Sequence, residues 1–362
     1  MVKKRECVRI RLMLDFLFGL VSHDLGIDLG TANTMVLVKG KGIAIREPSV
    51  VARHKKTKEI LAIGAKAKKM IGKTPAAIEA IKPLRDGVIA DFDATEAMLA
   101  HYIREVHQGG RLIPKIPKPK VVIGIPSGVT EVERRAVQDA ALSAGARKAF
   151  LIEEPMAAAI GLGLPIEEAE GILIVDIGGG TTEIAVISLG GIVIERCLRV
   201  AGDEMDAAIV SFMRLKYSLL LGEPTAEEVK MQIGSVYPEV SGKEKKMVIR
   251  GRSLESGLPQ SVKIGASEIR EAISPIIRQI VDQISAVIEE TAPELITDIV
   301  ARGIALCGGG ALLEGLDKLI AEETKMPVWV ADDPMAAVVR GCGRLLDDEN
   351  LLKKVRVTGG LR

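Results

Sequence analysis

The sequence contains two copies of one short pattern, an aspartate followed by a glycine-containing turn between aliphatic runs. The copies are residues 28–34 (DLGTANT) and 176–183 (DIGGGTTE). The flanking aliphatic residues predict two β-hairpins whose tight turns use the φ freedom of glycine. Such a turn offers backbone N–H groups to a phosphate, and the aspartate can hold Mg²⁺ through its waters. One copy is weak evidence, because these turns are common. Two copies predict two turns that hold one nucleotide from both sides.

Composition bounds the class of protein. With 362 residues, 48% hydrophobic and 27% charged, the chain is expected to be a soluble globular protein with room for two domains. Aromatic residues make up only 2% and the net charge is +1, so we expect no nucleic-acid partner. The four cysteines form no C-x-x-C pair and the four histidines show no metal-binding spacing, as in a reduced cytoplasm. No apolar run is long enough to span a bilayer.

The first 23 residues differ from the rest of the chain. Five basic and two acidic side chains give this segment a local charge of +3: Lys3, Lys4, Arg5, Arg9 and Arg11 against Glu6 and Asp15. Read as a helix, it is amphipathic, with an apolar side that includes Leu12, Phe16, Leu17 and Leu20. A basic amphipathic helix predicts an in-plane anchor on an anionic membrane surface. The alternatives are a helix docked on the body of the protein and a signal peptide, although Asp15 interrupts the apolar region of the latter.

A second candidate membrane contact is the loop at 108–120, which is rich in Gly and Pro. Leu112 and Ile113 occupy its tip among Arg111, Lys115 and Lys118. Exposed apolar residues surrounded by basic ones are typical of a membrane contact. A loop packed on a neighbouring helix is the alternative, and the sequence leaves both open.

Two further junctions lie at the ends of predicted buried strands. Glu153 and Glu154 follow the strand 149–152, and Pro155 favours a helix start there. Such carboxylates point into the crevice of an open α/β sheet, so Glu154 either caps the helix or orients a water beside a γ-phosphate. The strand 303–307 runs into three glycines and a predicted helix over 311–323. These glycines would let the backbone approach a flat ligand closely.

Three further elements are predicted from local patterns. The spacing Thr130-x-x-Glu133 is that of a capping box that opens a helix. Residues 236–266 are expected to form a small polar β-rich insertion, and 268–290 a long amphipathic helix.

Taken in order, these pieces resemble the phosphate, connect and adenosine motifs of the actin, Hsp70 and sugar-kinase superfamily. They are the two turns, the 153–155 junction, the helix end at Arg302-Gly303 and the turn at 308–310. Within this superfamily, the sequence motifs most resemble those of the MreB family of bacterial actin homologues. The matching stretches include IDLGTANT, EPSVVA, RDGVIADF, FLIEEPMAAAIG, VDIGGGTTEIAVISL, AGDEMD and GGGALL. The resemblance covers residues 24–346, nearly the whole chain.

The resemblance implies an α/β, actin-like fold, with two lobes of duplicated ribonuclease-H-like domains and a nucleotide cleft between them. Residues 1–23 would be the membrane-binding segment. Lobe I would span 24–159, with a small subdomain at about 46–80, and lobe II would span 160–338, with a small subdomain at about 202–265. The tail, 339–362, would return to lobe I.

It also implies a site for ATP and Mg²⁺, residue by residue. The phosphates would be held by Gly30, Thr31, Ala32, Asn33, Gly178, Gly179, Gly180 and Thr181. Asp28 and Asp176 would hold Mg²⁺, mostly through water, while Glu154 would position the attacking water with help from Thr181. Glu227 and Lys230 would contact the ribose and base. The adenine would be lined by Gly308, Gly309, Gly310 and Ala311. The choice between ATP and GTP stays open.

The function implied is a cytoskeletal protein at the inner face of the cytoplasmic membrane. It would polymerise with ATP into homopolymeric double filaments, hydrolyse ATP slowly and organise cell-wall synthesis to maintain rod shape. Its partners would be its own copies, the anionic membrane surface and membrane proteins of cell-wall elongation. A small-molecule kinase of the same superfamily would need an acceptor pocket with a positioned base, and no such motif is found. An Hsp70-like ATPase would need a peptide-binding domain, which is not expected after Leu346.

Overall fold

The computed structural model describes residues 22–108, 118–238 and 244–357. The six predicted membrane-contacting residues, Leu12, Phe16, Leu17, Leu20, Leu112 and Ile113, lie outside these ranges. Within them, no helix combines the length and the apolar character needed to cross a bilayer.

The described chain is a mixed α/β structure with eighteen strands and eleven α-helices. The strands are β1 Leu25–Leu29, β2 Asn33–Val38, β3 Gly42–Pro48, β4 Val51–His54, β5 Ile60–Ile63, β6 Ile78–Ile81, β7 Leu84–Arg85, β8 Val88–Ile89, β9 Lys120–Ile125, β10 Lys148–Glu153, β11 Ile172–Ile177, β12 Thr182–Ser188, β13 Gly191–Leu198, β14 Leu219–Leu220, β15 Lys246–Ser253, β16 Pro259–Gly265, β17 Ile304–Cys307 and β18 Val328–Val330. The helices are α1 Ala65–Lys68, α2 Phe92–His107, α3 Glu131–Ser143, α4 Glu154–Leu162, α5 Gly202–Tyr217, α6 Glu223–Ile233, α7 Ala266–Glu290, α8 Pro293–Arg302, α9 Leu316–Thr324, α10 Ala337–Asp347 and α11 Glu349–Val355. Short 3₁₀ turns span Gly309–Leu312 and Pro334–Ala336.

The described residues fall into two compact units. The first contains the described residues up to Ile125, then Val129–Gly161 and those from Val338 onward. The second contains Pro126–Gly128 and Leu162–Ala337. Each unit has its own hydrophobic core, which lies between its main sheet and amphipathic helices. The core of the first unit includes Met98 and Tyr102 of α2, and that of the second includes Ile280 and Ile284 of α7.

The main sheets of the two units have the same topology. Their strand orders are β10-β9-β1-β2-β3 and β13-β12-β11-β17-β18. In each, three antiparallel strands in a meander are extended by two strands that run parallel to the first strand of the meander. This confirms the duplication that the two sequence copies predict.

The strand register makes the two hairpins equivalent residue for residue. Leu29 pairs with Thr34 and Ile177 pairs with Thr182, so each hairpin closes with a turn of the same length, residues 30–33 and 178–181. Asp28 and Asp176 lie one residue before these closing pairs. The two aspartates therefore occupy the same position in the two sheets.

Smaller sheets complete each unit. The first unit carries the three-stranded sheet β5-β4-β6 and the two-stranded sheet β7-β8, and the second carries β14-β15-β16. The last of these agrees with the β-rich insertion that the sequence predicts for 236–266. The predicted start of α3 is confirmed as a capping box, because Glu133 N–H donates to Thr130 Oγ1 while the Glu133 carboxylate accepts from Thr130 N–H.

Two local expectations are wrong. The predicted helix at 311–323 does not begin at Ala311, which lies in a 3₁₀ turn. Gly315 has a φ of +83°, which a helix cannot contain, so α9 starts only at Leu316. The φ freedom of glycine also does not explain either turn, since Gly30, Gly178, Gly179 and Gly180 all lack a positive φ. What matters at Gly30 is space: an added Cβ would lie 2.7 Å from the carbonyl oxygen of Asn33.

Helix α10 packs closely in the first unit through glycine. A Cβ added at Gly341 would overlap the backbone carbonyl of Ala157 in α4, and one added at Gly343 would lie 2.6 Å from Leu37 Cδ2. A Cβ at Gly26 of β1 would in turn lie 2.8 Å from the backbone nitrogen of Gly343. The contact between α10, α4 and the sheet therefore depends on glycine at these positions.

We expect Gly341→Ala to destabilise the protein by about 2 kcal/mol or more, because the new methyl group meets backbone that cannot rotate away. Thermal unfolding followed by circular dichroism measures the loss as a lower midpoint. Gly191→Ala is the matched control, since its added Cβ would come no closer than 3.9 Å to the Ser188 carbonyl. Equal midpoints for the two variants would contradict the close packing of α10.

Candidate functional site

The first turn is held in place through its carbonyl oxygens. Ser49 N–H donates to the Ala32 carbonyl (3.0 Å), and Ser49 Oγ donates to the Gly30 carbonyl (2.6 Å). Thr34 Oγ1 lies 2.8 Å from Ser49 Oγ. Ser49 and Thr34 are both fully buried. One buried serine thus binds two of the four peptide units of this turn.

The side chain of Thr31 is directed to a neighbouring loop. Its Oγ1 accepts a hydrogen bond from Gly87 N–H (3.0 Å), in the turn that joins β7 to β8, and the residue is buried. The Thr31 hydroxyl therefore fixes the first turn to the β7-β8 hairpin. Its hydrogen atom is still available to a further acceptor.

Asp28 and Glu154 come together at the carboxyl end of the first sheet. Asp28 pairs in register with Gly124 of β9, and a Cβ added at Gly124 would lie 3.3 Å from Glu154 Cγ. Both carboxylates act on the thiol of Cys342, whose pKa is raised well above its usual value by burial, then by the charges of Asp28 and Glu154. Glu154 is the first residue of α4, directly after Glu153 at the end of β10. The missing side chain at Gly124 leaves room for Val338 Cγ1, which would lie 2.7 Å from the added Cβ, and for Glu154.

The second turn has a different support. Gly178 N–H donates to the Thr181 carbonyl (2.8 Å) and closes the turn. The carbonyls of Gly178 and Gly179 accept from Gly202 N–H (3.3 Å) and Asp203 N–H (2.7 Å), which are the first two residues of α5. The backbone amides at the start of α5 therefore donate hydrogen bonds to the carbonyls of this turn, as Ser49 donates to the carbonyls of the first turn.

A row of four polar side chains crosses the second sheet beneath this turn. In register, Cys197 pairs with Glu183, Glu183 with Asp176, and Asp176 with Cys307. Glu183 Oε2 also accepts a hydrogen bond from Ser127 N–H (3.2 Å). Burial raises the pKa of Asp176 to about 6, partly offset by the Cys307 thiol. Burial raises the pKa of Glu183 well above its usual value, and Asp176 raises it further. Burial therefore favours the neutral form of the Glu183 carboxyl, beside Asp176 in the next strand.

Lys230 and Glu227 lie on α6, close to the start of α5. Lys230 Nζ donates to the Gly202 carbonyl (2.7 Å) and pairs with Asp206 Oδ1 (2.9 Å). Burial raises the pKa of Asp206 to about 6, and Lys230 opposes that rise. Glu227 is half-buried, one helical turn before Lys230. Lys230 thus also fixes the helix start that supports the second turn.

The three glycines after β17 differ in the space around their Cβ positions. Gly308 has a φ of +79°, and a Cβ there would overlap Asp176 Oδ1 and the Ile177 carbonyl. A Cβ at Gly310 would overlap the side chain of Ile177. Gly309 is exposed and has open space around its Cβ position. Close packing on the end of β11 accounts for Gly308 and Gly310, which leaves Gly309 as the position open to a ligand. Ala311 is buried.

The donor set fits Mg²⁺ held mainly by water and phosphate. Across the described parts of the chain, no three His, Cys, Asp or Glu side chains form a metal-binding group. Mg²⁺ commonly takes one or two carboxylates plus waters and substrate phosphates, and one aspartate precedes each turn. Asp176 is buried and mostly ionised at neutral pH, so a nearby cation would be favourable.

The structure brings the predicted residues together within each unit. In the first unit, Asp28, residues 30–33 and Glu154 lie at one end of the sheet. In the second, Asp176, residues 178–181, Lys230 and Gly308–Ala311 do the same. Three supporting features had no assigned role at the sequence level: Ser49, the amides of Gly202 and Asp203, and the buried Glu183. Ser49 lies in the stretch EPSVVA and Glu183 ends the second copy of the turn, but neither stretch indicates a function for these two side chains.

Comparison with known proteins agrees with this geometry. "Cell shape-determining protein MreB" of Escherichia coli (strain K12) is 50% identical over 339 residues, which cover 92% of this chain and 96% of the relative. A crystal structure of MreB5 of Spiroplasma citri bound to AMPPNP, and another bound to ADP, each match with a TM-score of 0.84 and 38% identity, over 92% of this chain and 98% of theirs. A MamK double helical filament structure matches with a TM-score of 0.76 at 23% identity, over 90% of this chain and 99% of MamK.

The MamK likeness concerns the fold alone, and together with MreB5 it confirms the predicted actin-like fold. The family described as "MreB/Mbl protein" matches residues 22–354. By this match and by its identity to the relatives over most of its length, the chain belongs to the MreB/Mbl family.

Proposed function

We propose that this chain is a cytoskeletal ATPase that binds ATP and Mg²⁺ through both turns, polymerises, and hydrolyses ATP slowly. The filaments would lie on the inner face of the cytoplasmic membrane and organise cell-wall synthesis in rod-shaped cells. Membership of the MreB/Mbl family and the actin-like fold give the coarser role, a cytoskeletal protein that determines cell shape.

The observation that carries the nucleotide proposal is the equivalence of the two hairpins. Each sheet presents a carboxylate, Asp28 or Asp176, directly before a turn of the same length. Backbone N–H groups of such turns bind phosphate oxygens, and the carboxylates complete the water shell of Mg²⁺. The MreB5 structures with AMPPNP and ADP support a nucleotide in this family.

In the hydrolysis step, Glu154 accepts a hydrogen bond from the attacking water and orients it toward the γ-phosphate. Thr181, which is nearly buried in the second turn, assists this orientation. Asp28 and Asp176 would hold Mg²⁺, mostly through water, and the bound ion would supply positive charge next to the phosphate oxygens. Glu227 and Lys230 contact the ribose and base, while Gly308 to Ala311 contact the adenine. Positioning and charge supply most of the catalysis in this chemistry.

The membrane proposal rests on the basic N-terminal segment and the 108–120 loop, of which residues 1–21 and 109–117 lie outside the described ranges. The described residues that border these segments are hydrogen-bonded to one another. His23 N–H donates to His107 Nε2 (2.9 Å), and Lys118 N–H donates to Ser22 Oγ (2.9 Å). The described residues on either side of the loop therefore lie beside the first described residues of the chain, which supports a shared contact with one membrane surface.

We expect Glu154→Ala to lower the rate of phosphate release by about 100-fold or more while ATP binding is retained, because the water loses its orienting carboxylate. Phosphate release and ATP affinity are measured on the same preparation. Glu153→Ala is the matched control, a carboxylate one residue away at the end of β10. Unchanged turnover in Glu154→Ala, or an equal loss in Glu153→Ala, would move the role away from Glu154.

We expect Gly309→Val to weaken ATP binding by about 10-fold with an unchanged unfolding midpoint, because the new side chain occupies the open space proposed for adenine. Gly310→Ala is the contrasting variant, and it should lower the midpoint because its Cβ overlaps Ile177. Titration of nucleotide and thermal unfolding separate the two effects. Full ATP affinity in Gly309→Val would contradict the adenine contact.

Assembly is tested by sedimentation with ATP and liposomes that contain anionic lipid. We expect the protein to pellet with the liposomes and to form filaments in electron micrographs. A protein that stays monomeric and in the supernatant at high concentration would refute the cytoskeletal proposal.

The membrane contact is tested in the same assay with a variant that lacks residues 1–21. This variant should polymerise with ATP but lose binding to the liposomes. A full-length variant with Leu112→Ser and Ile113→Ser measures how much the loop contributes to liposome binding. Undiminished binding in the deletion variant would assign the contact to the loop instead.

A further inference from the structure

Ser49 makes three hydrogen bonds to the first hairpin, and two of them end on turn carbonyls. Its amide donates to the Ala32 carbonyl and its hydroxyl donates to the Gly30 carbonyl. Because the single hydroxyl hydrogen of Ser49 goes to Gly30, the Thr34 hydroxyl must be the donor in the 2.8 Å contact between the two side chains. The result is a chain of hydrogen bonds from Thr34 through Ser49 to the turn.

These bonds fix the direction of two peptide planes. The carbonyl and the N–H of one trans peptide point in opposite directions. The Gly30 carbonyl shares its peptide with Thr31 N–H, and the Ala32 carbonyl shares its peptide with Asn33 N–H. When Ser49 holds both carbonyls on its own side, both N–H groups point away from Ser49. Two N–H groups on the side of the turn opposite Ser49 are the arrangement that a phosphate requires.

We propose that Ser49 is the positioning residue of the first phosphate turn, where it orients the Thr31 and Asn33 amides through the carbonyls of Gly30 and Ala32. This inference rests on the proposed nucleotide function and deepens it. Ser49 does not touch the phosphate. It fixes the turn before the ligand arrives, so the turn loses less conformational freedom on binding.

The second unit shows why a side chain matters in the first. There, the carbonyls of Gly178 and Gly179 accept from the backbone amides of Gly202 and Asp203. Backbone donors survive almost any substitution, whereas the Gly30 carbonyl accepts from a hydroxyl that one substitution removes. The two turns are equivalent in register and differ in this support. The first turn is therefore the one that a single conservative change can loosen.

The test compares Ser49→Ala with wild-type protein for the affinity of ATP, ADP and adenosine, each with Mg²⁺ present. We expect about 10-fold weaker binding of ATP and ADP, because the Gly30 carbonyl loses its donor in a buried position. The affinity of adenosine should be unchanged, since adenosine has no phosphate. This selective loss is a readout that a general structural defect would not produce.

Thr95→Val is the matched control. Thr95 lies in the same unit, is fully buried, and its Oγ1 donates to a backbone carbonyl, that of Asp91 (2.8 Å). Loss of that bond should lower the unfolding midpoint about as much as Ser49→Ala does, with no change in nucleotide affinity. Thr34→Val removes only the hydroxyl that donates to Ser49 Oγ, and it should weaken ATP binding about threefold. This variant tests the role of Ser49 even if Ser49→Ala does not fold.

The outcomes separate this inference from the proposed function. Wild-type protein that binds no ATP would overturn both. Wild-type protein that binds ATP, with Ser49→Ala or Thr34→Val at full affinity, would overturn the role of Ser49 alone. An equal loss for adenosine and ATP, or the same loss in Thr95→Val, would also overturn it, because the effect would then be a general loss of stability.

Discussion

In each unit, the candidate phosphate turn depends on how its carbonyl oxygens are bound. A turn can offer N–H groups to an anion only if its peptide planes are held with their carbonyls on the other side. Ser49 does this for Gly30 and Ala32, and the first amides of α5 do it for Gly178 and Gly179. Further hydrogen bonds support these contacts: Thr34 bonds to Ser49, and Lys230 of α6 donates to the Gly202 carbonyl at the start of α5.

The duplicated sheets share a frame but differ in chemistry at equivalent positions. Opposite Asp28, the neighbouring strands carry Met35 and Gly124, and the space at Gly124 is used by Glu154. Opposite Asp176 they carry Glu183 and Cys307, which fill the same positions with buried polar groups. Among the described residues, Glu154 at a strand end thus lies close to Gly124 in the first unit, whereas Asp176 of the second unit is flanked by Glu183 and Cys307.

Local patterns predicted much of the fold. The two hairpins, the capping box at Thr130, the long helix α7 and the β-rich stretch after residue 236 follow from spacing and from residues that are near in sequence. The errors were also local in origin. Three glycines in a row gave no indication that Gly308 and Gly310 pack on Ile177, or that Gly315 delays α9. A glycine needed for contact with a distant strand looks the same in sequence as one needed for a ligand.

The sequence alone determined that two turns, each preceded by an aspartate, join aliphatic strands, and that Glu154 follows a strand end. It also determined that the motifs resemble those of the MreB family. These are properties of short stretches, so the order of residues carries them. The tertiary structure decided the register that makes Asp28 and Asp176 equivalent, the burial that raises the pKa of Glu183, and the contact of Ser49 with the carbonyls of the first turn. These depend on strands and helices that meet only when the chain folds, because hydrogen-bond direction and burial are set by neighbours in space.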